Sequence, residues 1–306
     1  MAAIERSDMT PLSDQPDFIN QVITGVIDSS AALAAFPTQR TTSNLAKIPV
    51  LDTKPTASFV SEDLSSPSSI KPTSEVTLTE AVASIETLAV IIPIKREVAL
   101  DMQQNTGIDP WNLVQGQVTE AFAHAIDNAL FFGTGAPTSW GDGLVTRAID
   151  SGNVIEASAT LAAADFSKVI GEVEADGYDP SVGITHRGLR RELRELVDDN
   201  NRPVYLDNVR MDNNTSEIYG LPLQYTREWD QNTSVALVGD ASAVRVFVRE
   251  DMSVLFSETA SYTDGGSLKS AFERNVILAR FEMRLGWTVT SPLGGFPFAN
   301  LVPNGY

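Results

Sequence analysis

The chain has 306 residues, with 22 Lys and Arg against 40 Asp and Glu, a net charge of -18, and 42% apolar residues. That apolar content excludes global disorder and supplies a sizeable core, and the length allows about two domains. The acidic balance argues against an extended nucleic-acid-binding face, and zero cysteines exclude disulfides, thiol catalysis and Cys-ligated metals.

Met1–Met9 has neither the basic nor the apolar region of a signal peptide. The most apolar run, Leu88–Ile94, is too short to span a bilayer. A soluble, cytoplasmically made protein with no membrane contact is expected. Residues 1–50 read as an arm. Phe18, Val22, Ile23, Val26 and Ile27 have helical spacing after Asp14 and Pro16. So short a stripe must dock elsewhere, on a partner or on the rest of the chain; the spacing leaves both open.

Residues 52–75 are rich in Ser, Thr and Pro, the composition of a loop. From Val76 the pattern turns strand-like, with Val76, Leu78, Val82, Leu88, Val90, Ile92 and Ile94 on one parity. Residues 51–94 are therefore expected to form one long two-stranded excursion. Such a ribbon is marginal by itself and needs a surface to lie on.

A helix is predicted over 109–132. Asp109 is a natural N-cap and Pro110 suits the first turn. Trp111, Val114, Val118, Phe122, Ile126 and Leu130 recur every three or four residues, and Gly133 and Gly135 stop the run. Residues 133–160 look loop-rich. A compact α/β unit is expected over 161–256. It has helices at Phe166–Val173 and Leu189–Val197 and strands at Ser181–Thr185, Ile218–Tyr225, Ser234–Val238, Val244–Val248 and Val254–Phe256. Tyr262–Ser267 reads as a loop.

The last clear element is a strand. Ile277, Ala279, Phe281, Met283, Leu285, Trp287 and Val289 share one parity, and Arg280, Glu282 and Arg284 share the other. One face is buried, and the other sets a carboxylate between two guanidinium groups.

Enzyme chemistry finds little support. The two histidines, His124 and His186, lack metal-ligand spacing, and no Gly-x-Ser-x-Gly is present. The glycines between 133 and 143 precede no Gly-Lys-Ser/Thr, so they read as turns rather than a phosphate cradle. No cofactor and no metal are expected. Arg187–Glu195 mixes Arg190, Arg191 and Arg194 with Glu192 and Glu195, which suits a solvated or intersubunit salt-bridge face.

These segments in this order resemble the major capsid proteins of tailed bacteriophages, the Hong Kong 97-type shell fold. Local matches are Lys71-Pro72-Thr73-Ser74-Glu75-Val76-Thr77-Leu78, Gly133-Thr-Gly135 with Gly143-Leu144, Tyr219-Gly220-Leu221-Pro222-Leu223, Val238-Gly239-Asp240 leading to Arg249-Glu250-Asp251, and the final strand. The resemblance implies an α+β fold: an N-terminal arm (1–50), an extended β-hairpin loop (51–94), a peripheral domain with a spine helix (95–160 and 257–306) and an α/β axial domain (161–256). It implies a non-enzymatic structural subunit assembling into hexamers and pentamers of an icosahedral head around double-stranded DNA. The virion is then its location, after assembly in the bacterial host cytoplasm. It also implies the chain itself, a separate scaffolding protein, a portal and a decoration protein as partners. Crosslinking members join a loop lysine to a neighbour's asparagine with a glutamate as base. By local match these are Lys71, Asn275 and Glu282. Asn275 and Glu282 have opposite parity, so they are expected to react between subunits. An encapsulin-like compartment shell is the alternative, and a soluble carboxylate-dependent hydrolase the less favoured one.

Overall fold

The computed structural model describes residues 30–51, 55, 57–60, 73–99, 110–159, 161–195, 216–291 and 295–305. The expected arm helix at Phe18–Ile27, the Asp109 cap and Lys71 lie outside the described residues. Elements are numbered in chain order.

The long helix, α2 (Pro110–Phe132), starts within one residue of its expected start, on the proline. Its 23 residues run about 35 Å at about 1.5 Å each. Val118, Phe122, Ile126 and Leu130 are buried along one stripe. They share a core with Phe281, Met283 and Leu285 of the closing strand, β13 (Val276–Val289). Burying each such large side chain contributes about 1.5–3 kcal/mol.

β13 is an inner strand of a four-stranded sheet ordered β1 (Thr38–Arg40), β10 (Val244–Ser257), β13, β4 (Glu86–Lys95). Both of its neighbours are antiparallel to it. Between Ala279 and Leu285 the expected alternation holds: the odd positions are buried, Arg280 is exposed, and Glu282 and Arg284 are half-buried. Towards its end both parities are buried, because the chain entering β4 crosses over Gly286. β10 is one strand where two were expected. Bulges between Val248 and Glu250 and between Glu250 and Ser253 break its hydrophobic pattern without ending its pairing.

The second sheet has six strands, ordered β5 (Val154–Glu156), β14 (Phe298–Val302), β9 (Ala236–Gly239), β6 (Val182–His186), β8 (Leu221–Thr226), β7 (Ser216–Ile218). Both of its faces are covered. Ile184, Leu237 and Phe298 point into the α2 core. Ala236, Val238, Leu223 and Leu301 point into a second core with Phe166, Val169 and Val173 of α4 (Ala163–Ala175) and Leu189 and Leu193 of α5 (Leu189–Glu195). Strands buried on both faces read as short apolar runs, which is why the sequence located them without showing which neighbours they pair with.

Four details differ from the sequence reading. Sheet membership does not follow the 161–256 boundary: β10 joins the β13 sheet, while β5 and the C-terminal β14 join the six-stranded one. The expected strand at 218–225 is a hairpin, turning at Tyr219 (φ 52) and Gly220 (φ 79), a two-residue pattern that matches strand twist. The expected loop at 262–267 is also a hairpin, β11 (Ser261–Asp264) and β12 (Ser267–Ser270), turning at Gly265–Gly266. The 133–160 segment holds α3 (Leu144–Asp150), whose Leu144, Val145 and Ala148 are buried.

The excursion is also corrected. Its paired arms are β2 (Leu45–Leu51) and β3 (Leu78–Ser84), in register from Leu45↔Ser84 to Leu51↔Leu78. β4 continues the same parity but belongs to the β13 sheet. Periodicity could not separate the two because β3 and β4 both alternate, and only Ile85 divides them. Ala46, Ala83, Ile85 and Phe247 pack at the root of the ribbon. Leu45, Leu78 and Val82 along it are exposed.

Candidate functional site

Asn275 ends a turn rather than beginning a strand. Its φ is 52, a left-handed conformation that Asn tolerates better than most residues. Its N–H donates to the Phe272 carbonyl, and its carbonyl accepts from the Arg96 N–H at 2.9 Å. A small cavity of about 100 Å³ adjoins it, lined also by Arg96, Glu258 and the exposed Phe272. The Arg96 guanidinium pairs with Glu258 at 3.4 Å.

Glu282 lies on the open face of the β13 sheet, opposite Ser253 on one side and Ala89 on the other. Its carboxylate pairs with Arg280 Nε at 3.0 Å. Six residue steps along the strand separate Val276 from Glu282, roughly 20 Å at about 3.3 Å each. The fold therefore holds Asn275 and Glu282 apart within one chain. The carboxylate beside Asn275 is Glu258, which sequence reading missed. It follows the end of β10, and only the pairing of β10 with β13 brings it there.

A second missed residue is Asp127 on α2, 1% exposed. Its carboxylate accepts from Ser30 Oγ at 2.6 Å, from the Ala31 and Ala32 N–H groups at 3.1 and 3.0 Å, and from Thr226 Oγ1 at 3.0 Å. It thus binds the start of α1 (Ala31–Ala35) to α2 and to β8. Burial pushes its pKa up against the lowering effect of these hydrogen bonds. The available signal was an acid directly following Ile126, inside the run of stripe residues that ends at Leu130.

His124 is held between Glu228, 3.3 Å from Nδ1, and Glu120, 3.6 Å from Nε2. His186 is buried, and burial lowers its pKa. Among the described residues no three His, Asp or Glu side chains are grouped to hold a metal ion, and no helix is long and apolar enough to cross a membrane.

The phage capsid family model matches residues 15–294. The chain belongs to the phage capsid family. Solved structures agree with it. A chain of Microbacterium phage Oxtober96 is 38% identical, with 90% of this chain and 91% of that chain covered and a TM-score of 0.78. A chain of Mycobacterium phage Bobi is 28% identical, with 91% of each chain covered and a TM-score of 0.77. A chain of Mycobacterium phage Adephagia, 23% identical with 100% and 99% covered, shares the fold at a TM-score of 0.78. No curated protein matches the chain. The chain is thus a major capsid protein of the Hong Kong 97-type α+β fold. It forms the capsid shell of the virion, and its role is structural rather than enzymatic.

Proposed function

We propose that this capsid protein assembles into hexamers and pentamers of an icosahedral head around double-stranded DNA. The observation that carries this reading is the β2–β3 ribbon. Its exposed Leu45, Leu78 and Val82 need a surface that the described residues of its own chain do not supply. A neighbouring copy in a ring supplies one. The net charge of -18 suits a container wall that does not adsorb its DNA. A scaffolding protein guides assembly, a portal occupies one vertex, and a decoration protein binds outside. Electron microscopy of particles made with and without a co-expressed scaffold tests this. Shells forming with this protein alone count against the separate scaffold.

In the same reading, Lys71, Asn275 and Glu282 of different subunits form an isopeptide crosslink. A lysine ammonium becomes nucleophilic only after losing its proton, here to the Glu282 carboxylate. The neutral Nζ attacks Asn275 Cγ, the C–N bond to the amide nitrogen breaks, and ammonia leaves with the transferred proton. The separation of Asn275 and Glu282 along β13 supports an intersubunit site. So does the exposed turn at Asn275, which a neighbour's loop can reach.

A further inference from the structure

We propose that the cavity between α2 and β8 is a seat for a carboxylate of a second copy of this chain; the inference rests on the shell reading. The cavity measures about 470 Å³, room for one or two side chains. Glu120, His124, Arg187, Arg190, Tyr225 and Arg227 line it. Its acids are already engaged. Glu120 pairs with Arg227 at 2.6 Å and with His124 at 3.6 Å. Asp127, also in the lining, is turned to Ser30, Ala31, Ala32 and Thr226. Arg190 lies over the Tyr225 ring at 4.6 Å. Arg187 pairs with no carboxylate among the described residues. Guanidinium charge is therefore gathered in one concave place on a chain of net charge -18.

Copies that each carry this charge repel one another at long range. Shell contacts bring them within the roughly 10 Å over which salt screens. Local cationic seats offset that repulsion where subunits touch. A carboxylate fits a guanidinium with two parallel N–H···O bonds, and partial burial strengthens them. The surroundings disfavour nucleic acid. Glu120, in the lining, and Glu228, paired with His124, are half-exposed, and both oppose a continuous phosphate backbone. A single side chain reaches past them.

The test is zero-length crosslinking in shells of the Arg187→Lys variant. Shells are assembled from equal parts of isotopically heavy and light subunits and treated with a carbodiimide. The introduced amine should join to an Asp or Glu of the other isotope, which also identifies the partner acid. Adducts confined within one copy, to Glu120 or Glu228, would overturn the seat. In parallel, Arg187→Glu should raise the concentration needed for assembly about tenfold, with an unchanged unfolding midpoint. Assembly at the wild-type concentration contradicts the proposal. So does normal assembly with lost retention of a short DNA duplex, which would make phosphate the ligand. Wild-type subunits that form no oligomer contradict the shell reading itself, whereas the variants test the seat alone.

Discussion

Asp127 Oδ1 and Ser30 Oγ meet at 2.6 Å across 97 residues of sequence, in a site closed to solvent. With the Ala31, Ala32 and Thr226 bonds, this contact fixes the start of α1 against α2 and β8. Asp127→Ala strands four donors in a buried site, and a loss of about 3–5 kcal/mol is expected in urea unfolding of the unassembled chain.

The same carboxyl has a distinct pH signature. Burial pushes its folded pKa above the usual carboxylate value. The folded chain then holds that proton more tightly than the unfolded one. Its contribution is full below the unfolded value and is lost as pH rises through the folded one. The stability gap between wild type and Asp127→Asn should therefore narrow as pH rises through the Asp127 value. Asp165 behaves oppositely. Burial pushes its pKa up too, but hydrogen bonds from Ser158, Ala162 and Lys168 outweigh burial and hold it low. The gap for Asp165→Asn should be widest near neutrality and close in acid. Urea midpoints measured across pH check both.

Gly286 marks the crossing of the chain over β13. A Cβ there collides with the Ser84 carbonyl and Ile85. That carbonyl also accepts from Trp140 Nε1 at 2.9 Å. Gly286→Ala should cost about 1–3 kcal/mol through forced displacement of the ribbon root. Thermal unfolding measures it. Gly286→Ser should do the same, and an unchanged midpoint would show that the crossing is not tight.

Glu282 separates a structural from a chemical role. Its pair with Arg280 is partly exposed, so Glu282→Gln should change subunit stability by no more than about 1 kcal/mol. If Glu282 accepts the lysine proton, the same variant should form shells that crosslink far more slowly. Lys71→Ala and Asn275→Asp should abolish crosslinks while leaving shells intact. Boiling assembled particles in SDS reads all three: wild type should give a ladder above 33.0 kDa, the monomer mass. A wild-type band at the monomer mass alone rejects the chemistry.

Local order was legible where one physical signal dominated. The stripe from Trp111 to Leu130 with Pro110 specified α2, and the parity from Ala279 to Leu285 specified the buried face of β13. What was not legible depends on pairing across long separations. Nothing local says that β3 returns to β2 while β4 goes on to β13. Nor does a local pattern predict that Glu258 will lie beside Asn275, because that depends on the register of β10 against β13. The donors of Asp127 come from the start of α1 and from β8, far away in sequence, so no local pattern shows them. The opposite parity of Asn275 and Glu282 was readable early, and the strand between them keeps them apart in one subunit.

A chain that builds a closed shell gives particles that can be imaged. Electron cryomicroscopy of particles purified after expression with a scaffold measures that directly. Megadalton icosahedral particles with hexameric and pentameric rings are expected, each β2–β3 ribbon lying on a neighbouring copy. A population that stays at the size of a single 33.0 kDa subunit would contradict it.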